Sequence, residues 1–292
     1  MSRSEITEPM AGYATAAEGA GARTPSFSPP AQISFAKSQQ PWMQRVLASA
    51  AVGAALLLIW WTLCKFKVLN SSVFPTPGQV ARALKDEMQS GRLWDDLIAS
   101  LFRVATGFLL AVILAIPVGL WLGSHAIFRA AWLPVINFMR SLSPLAWIPF
   151  AIVWFGIGDA SSIFLIFIAT FFPLALATLS AVAGIPRTYF RVASDYGITG
   201  VELLTKVTLP AVLPQIITAL RVTAGLAWLV VVAAEMIAGH DGLGFAIWDA
   251  RNGLRMDLLV AEMLVIGVMG IGIDALLLSL TKFSGVRWGY EQ

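Results

Sequence analysis

The sequence predicts an all-α membrane protein with six transmembrane helices, and three observations carry that fold class. Hydrophobic residues make up 58% of the 292 and charged residues only 13%, with a mean hydropathy of +0.76; soluble domains hold about 25% charged residues. Apolar runs recur along the chain at the length a helix needs to cross a bilayer, about 20 residues. A polar interruption from Gly184 to Pro214 separates two of those runs. The net charge of +3 sits in loops, where it bears on membrane orientation and argues against a nucleic-acid partner. The single cysteine, Cys64, lies in an apolar run and cannot form an internal disulfide.

Residues 1–40 are rich in Ala, Gly, Ser, Thr and Pro without apolar periodicity and read as a disordered tail. Residues 41–292 then form one transmembrane domain. Its first apolar run, Val46 to Cys64, follows Arg45 and reads as an uncleaved anchor. Phe74-Pro-Thr-Pro77 makes an extended corner. Val80, Ala83, Leu84 and Met88 recur at helical spacing, predicting a surface-lying amphipathic helix over Gly78 to Met88.

Leu97 to Leu122 spans and is apolar apart from Arg103. Ala131 to Phe155 is broken by Pro134, Arg140, Pro144 and Pro149. Irregular backbone at membrane depth persists only where it is buried in protein or lines a cavity, so Pro144 and Pro149 are pathway candidates. Ser161 to Ala183 spans with Pro173 inside it. Ala211 to Ala238 spans with Gln215, Arg221 and Glu235. Leu258 to Leu280 spans with Glu262, Asp274 and a small-residue face of Gly267, Gly270 and Gly272. Ionisable groups inside a span are expensive and mark function or pairing. Arg221 and Glu235 are therefore further pathway candidates. Arg221 reads either as a donor to a passing anion or as a tie to a neighbouring carboxylate.

The polar interruption reads as two short helices with a turn between them. Arg191, Ala193 and Asp195 lie on the first helix, and Gly197 and Gly200 supply a permissive backbone. Thr199 is placed to cap the second helix, with Glu202 completing a capping box. Glu202 and Lys206 stand four apart in the favourable order, and Pro210 is expected to stop the helix.

The same stretch resembles the cytoplasmic coupling loop of ATP-binding-cassette (ABC) importer permeases. Their pattern is Glu-Ala-Ala, three residues, Gly, nine residues, Ile-x-Leu-Pro. Ala193, Gly197, Val207, Leu209 and Pro210 fall on that spacing, while Arg191 and Val192 depart from it. Phe74-Pro-Thr-Pro77 and the residues after it are similar to the nitrate, sulfonate and taurine branch. The block from Glu235 to Asn252 is similar to nitrate, bicarbonate and cyanate permeases.

The resemblance implies a type I permease fold in a bacterial inner membrane, with both termini cytoplasmic. Two permease copies would form the pathway, with ABC ATPase subunits on the cytoplasmic face and a periplasmic or lipid-anchored binding protein outside. ATPase coupling would involve Arg191, Ala193, Asp195, Gly197, Thr199, Glu202, Lys206, Val207, Leu209 and Pro210. Trp248, Asp249 and Arg251 would lie at the outer mouth. The implied cargo is a small anion, nitrate or a related oxyanion, with alkanesulfonate or taurine as the alternative. A stand-alone secondary transporter or channel, and an assembly protein, remain open readings from other classes.

No Gly-x-x-x-x-Gly-Lys-Ser/Thr phosphate loop, metal-ligand cluster or Gly-x-Ser-x-Gly elbow occurs. The chain reads as a non-enzyme with no cofactor, whose energy arrives through a partner. His125 and His240 stand apart beside loops and are not expected to be ligands.

Overall fold

The computed structural model describes residues 42–66 and 74–280, which are helical with short connections. The expected tail over 1–40 lies outside the described residues. The chain divides into two units, residues 1–52 and 53–292, and the second holds every element from the latter part of the first helix onward.

Helix α1 (Trp42–Lys65) contains the predicted first span, its apolar stretch running Ala50–Lys65. Trp60 Nε1 donates to Pro75 O, which ties its end to the extended corner. Helix α2 (Pro77–Ser90) is the predicted amphipathic helix, slightly longer than expected. Thr76 and Gln79 close its first turn as a capping box, each side chain meeting the other's backbone. Its apolar edge is not left on the surface: Ala83 packs with Ala250 and Leu258.

Among the described residues, four helices are long and apolar enough to cross a membrane. They are α3 (Arg92–Ser124), α6 (Asp159–Ala183), α9 (Leu209–Ala238) and α11 (Met256–Leu280). A fifth span is the predicted broken one. Helix α4 (Ala126–Ser141) and the segment from Pro144 through α5 (Ile148–Phe155) meet at 86°. Counting the bent pair as one gives up to five spans among the described residues against the six expected; the apolar stretch of α1, Ala50–Lys65, is shorter than these and is not among them. The shorter helices α7 (Arg187–Asp195), α8 (Gly200–Leu203) and α10 (Leu243–Asn252) lie between the long ones.

The expectation at Pro210 is corrected. Pro210 stands in the first turn of α9, and a π-helical turn, Leu204–Thr208, joins α8 to α9, so one helical segment runs Gly200–Ala238 over 39 residues. A proline breaks a helix through its missing N–H and its clash with the preceding turn; a widened π turn just before it relieves both demands. The capping box at Thr199 is also corrected. Thr199 takes the extended N-cap backbone, but its side chain makes no cap hydrogen bond. The Glu202 carboxylate is instead engaged by Lys206.

The centre of the fold is the packing of α3 on α6. Gly107, Ala111, Ala115, Gly119 and Gly123 recur every four residues along one buried face of α3. They meet Ile166, Leu174, Thr178 and Val182 on α6. A Cβ at Gly107, Gly119 or Gly123 would lie 2.8, 2.6 or 2.6 Å from a Cβ of the facing helix. Such seams of small residues hold membrane helices together through close backbone approach. Of the small-residue face expected on α11, only Gly270 is closely approached within the chain, a Cβ there lying 3.2 Å from the Trp228 ring, while a Cβ at Gly267 or Gly272 would meet nothing within 4 Å. Gly119→Val should accordingly destabilise the fold by about 1–3 kcal/mol, read as a lower melting temperature in detergent. Gly78→Ala, where a Cβ meets nothing within 4 Å, is the neutral control.

The two ends of the bundle differ. The starts of α3, α6 and α11 gather with the end of α9 and with α10, where Gly158 N–H donates to Ala238 O and Arg92 meets Asp249. At the other end, the last turns of α3 and α6 face α7 and α8.

Candidate functional site

Three groups of predicted residues fall in three separate places. The coupling residues form a knuckle at the end of the bundle opposite α10. Helix α7 ends in a Schellman motif: Ile198 N–H donates to Ala193 O and Gly197 N–H to Ser194 O. Gly197 is the left-handed residue that motif requires, at φ +70°. Ala193 is buried beneath the turn. Arg191 and Asp195 are exposed, and Glu202 and Lys206 pair on the surface. Tyr189, Val192, Ala193, Tyr196, Val207 and Pro210 line an apolar cavity of about 530 Å³ between α7 and the start of α9. Tyr196, at 80% exposure, and Val201 present apolar surface at the tip. Leu209 lies just inside, packed against Val212 and Ile216.

The opposite end is organised by Arg103. Its Nη1 donates to Glu235 Oε1 at 2.8 Å and to Asp241 O at 2.9 Å, its Nε donates to Asp159 Oδ1 at 2.7 Å, and its Nη2 pairs with Asp241 Oδ1. Glu235 Oε2 accepts from Ser100 Oγ and from Gly244 N–H. Ser100 Oγ accepts from Leu243 N–H, and Asp96 Oδ1 from Gly242 N–H. The α9–α10 loop thus wraps around a charged pair in which both side chains are 0% exposed. Gly242 permits this: at φ +98°, a Cβ there would lie 2.5 Å from Glu235 Cδ and 2.7 Å from Arg103 Nη1.

Glu235, expected to face the pathway, is therefore sealed inside the chain. Arg103 carries that seal without having been singled out, although an isolated charge in an apolar run signals a partner elsewhere. Among the residues expected at the outer mouth, Asp249 is taken by Arg92 at 2.7 Å, Trp248 stacks on Phe245, and Arg251 is exposed.

The third place is mid-span. Arg221 lies twelve residues past Leu209, about 18 Å along α9. It pairs with Asp274 of α11, the two side chains 33% and 57% exposed. Both readings of Arg221 thus keep a footing: it has a carboxylate partner, and it is open. Pro144 and Pro149 stand at the broken span, beside exposed Phe150 and Trp154. Trp147, Phe150, Trp154, Phe155 and Phe164 form a continuous ring cluster there. His125 and His240 do not come together, and among the described residues no group of three His, Cys, Asp or Glu is placed to hold a metal.

Comparison with known proteins follows the same lines. The sequence model of the family described as "Binding-protein-dependent transport system inner membrane component" matches residues 97–287. The taurine transport system permease protein TauC of Escherichia coli is 34% identical over 258 residues, covering 85% of this chain and 94% of TauC. The nitrate import permease protein NrtB of Synechocystis is 32% identical over 239 residues, 79% of this chain and 86% of NrtB. A crystal structure of a bacterial alginate ABC transporter shares the fold at a TM-score of 0.57 and 15% identity, covering 83% of this chain and 98% of that one. The chain belongs to the binding-protein-dependent transport inner-membrane component family, the permease subunits of ABC importers.

Proposed function

We propose that this permease carries a small oxyanion inward, nitrate in first place, as one of two identical copies flanking a pathway. As an ABC permease the chain is non-catalytic, and ATP hydrolysis belongs to a separate subunit. Family membership sets aside the stand-alone transporter and the assembly protein.

Arg221 is the observation that carries the anion reading: a guanidinium within a span that stays partly open is a costly group to keep against hydrocarbon and a natural donor to an oxyanion. The reading is supported by relatives named for nitrate and taurine. The broad overlap with TauC, together with the exposed rings near Pro149, favours an alkanesulfonate such as taurine as the second reading.

The knuckle of α7 and α8 supports a docking role for the ATPase, since its tip offers Tyr196 and Val201 on a rigid turn. The α10 end is then the face that meets a binding protein. ATP-driven closure of the ATPases would move the knuckle and rock the spans in alternating access.

Two measurements test this together. Proteoliposomes holding the permease, its ATPase and its binding protein should accumulate labelled nitrate, or else taurine, only with internal ATP. Cysteines introduced at the exposed positions Asn252 and Thr205 should divide by side: Asn252 labels with an impermeant reagent from outside and Thr205 does not. Labelling of Thr205 alone would reverse the proposed orientation, with knuckle and termini cytoplasmic.

A further inference from the structure

Among the arginine–carboxylate pairs that join spans in the described residues, Arg103–Glu235 is sealed and Arg221–Asp274 is open. The Arg103–Glu235 pair is fully buried; Glu235 also accepts from Ser100 Oγ and Gly244 N–H, and Arg103 also donates to Asp241 O and Asp159. The Arg221–Asp274 pair has no such casing. Arg221 Nε and Nη2 donate to Asp274 Oδ1 at 3.1 and 2.9 Å, and Nη2 donates to Oδ2 at 2.9 Å. Its other terminal nitrogen, Nη1, makes no hydrogen bond among the described residues. One helical turn toward the α10 end, Gly225 carries no side chain, and a Cβ there would meet nothing within 4 Å. The guanidinium is thus open along one flank while its fork already holds two carboxylate oxygens.

We propose that Asp274 is an internal stand-in for the carried anion, occupying Arg221 while the pathway is empty and giving way when the anion arrives. The proposal deepens the anion reading above and rests on it. A guanidinium fork receives any pair of oxygens at carboxylate spacing; nitrate, a sulfonate and bicarbonate all present such a pair at a single negative charge. One oxyanion replaces another on the same cation, so the span never holds an uncompensated guanidinium, while the site as a whole gains one negative charge because Asp274 stays tethered beside it. Once displaced, the Asp274 carboxylate stands beside the bound anion, and like charges repel. That repulsion hastens release, which a pathway site needs as much as binding. The cargo class that follows is a monovalent oxyanion with two oxygens free on one face. A solute without an anionic group that presents such an oxygen pair cannot make the exchange.

Nitrate and taurine serve as probes on the assembled importer with its ATPase and binding protein. An internal competitor lowers apparent affinity by the fraction of time the site is free; if that fraction is about a tenth, Asp274→Asn tightens probe binding to the permease about tenfold and slows uptake. Arg221→Lys keeps the charge but loses the fork, so it weakens binding while the protein still accumulates.

A second measurement needs no destabilising change. With aspartate isotopically labelled at its carboxyl carbon, the saturating probe shifts a carboxylate infrared band in the native sequence, and that band is missing from Asp274→Glu. Unchanged binding in Asp274→Asn, or no band shift in a native importer that does take up a probe, overturns the proposal and leaves the pair a structural tie between α9 and α11. If neither probe nor bicarbonate enters with the native importer, the anion reading falls and takes the proposal with it.

Discussion

Arg103→Gln should abolish accumulation of folded protein. Removing one partner of a buried ion pair destabilises by about 3–5 kcal/mol, because the other charge stays buried without compensation, and whole domains are stable by only about 5–15 kcal/mol. Here the loss is compounded. Glu235 keeps only Ser100 Oγ and Gly244 N–H, while Asp159 and Asp241 lose the cation that draws them together. The loop from Gly239 to Gly244 then loses the arginine's hold on Asp241 and keeps only the Gly242–Asp96, Leu243–Ser100 and Gly244–Glu235 hydrogen bonds. Arg103→Gln combined with Glu235→Gln should be milder than the single change, since two amides leave no buried charge. Fluorescence-monitored gel filtration and melting in detergent would measure both. Native-like yield and melting for Arg103→Gln alone would show that the network is dispensable.

Gly197→Val should leave insertion and yield near normal and reduce uptake at least about tenfold, the equivalent of 1.4 kcal/mol at the coupling step. A β-branched residue held at φ +70° carries about 1–3 kcal/mol of strain. The chain can relieve it only by opening the turn that the Ile198–Ala193 and Gly197–Ser194 hydrogen bonds close. No neighbour blocks the substitution, since a Cβ at Gly197 meets nothing within 4 Å; the effect is one of backbone shape. The membrane-embedded seam of α3 and α6 is remote from it. Co-purification of the ATPase, uptake and ATP hydrolysis should therefore separate: less association, or hydrolysis without transport. Glu202→Ala removes only the exposed Lys206 pair, worth a few tenths of a kcal/mol, and should be nearly silent. Full association and full uptake in Gly197→Val would make the knuckle an ordinary loop.

Much of the architecture could be read from sequence because membrane spans are written in composition. Apolar runs with few charges delimit α3, α6, α9 and α11 to within a few residues, and clustered prolines mark the bend between α4 and α5. The turn at Gly197 was legible from a glycine at the end of a short amphipathic stretch. Pairings between distant segments were not legible. Nothing local to Glu235 distinguishes a residue facing a passage from one enclosed by Arg103, 132 positions away. The same holds for Arg221 and Asp274, 53 apart. The four-residue recurrence from Gly107 to Gly123 was visible in principle, but small residues inside an apolar run leave hydropathy almost unchanged. Pro210 misled because a proline's local rule assumes an α-helical turn before it, and the π turn at Leu204–Thr208 changes that premise.

The unbroken run from Gly200 to Ala238 has a mechanical consequence. The segment has no slack linker between the knuckle and the α9–α10 loop, so it behaves as a lever with one end pinned at Glu235. At 1.5 Å per residue, Gly200 lies about 52 Å from that pivot and Arg221 about 21 Å. A sideways stroke applied at the tip therefore reaches Arg221 reduced to about two-fifths of its size, and it fades to nothing near the Arg103 hub. A stroke of a few ångströms at Gly200 becomes a shift of about an ångström at Arg221, comparable to the difference between a formed and a broken hydrogen bond.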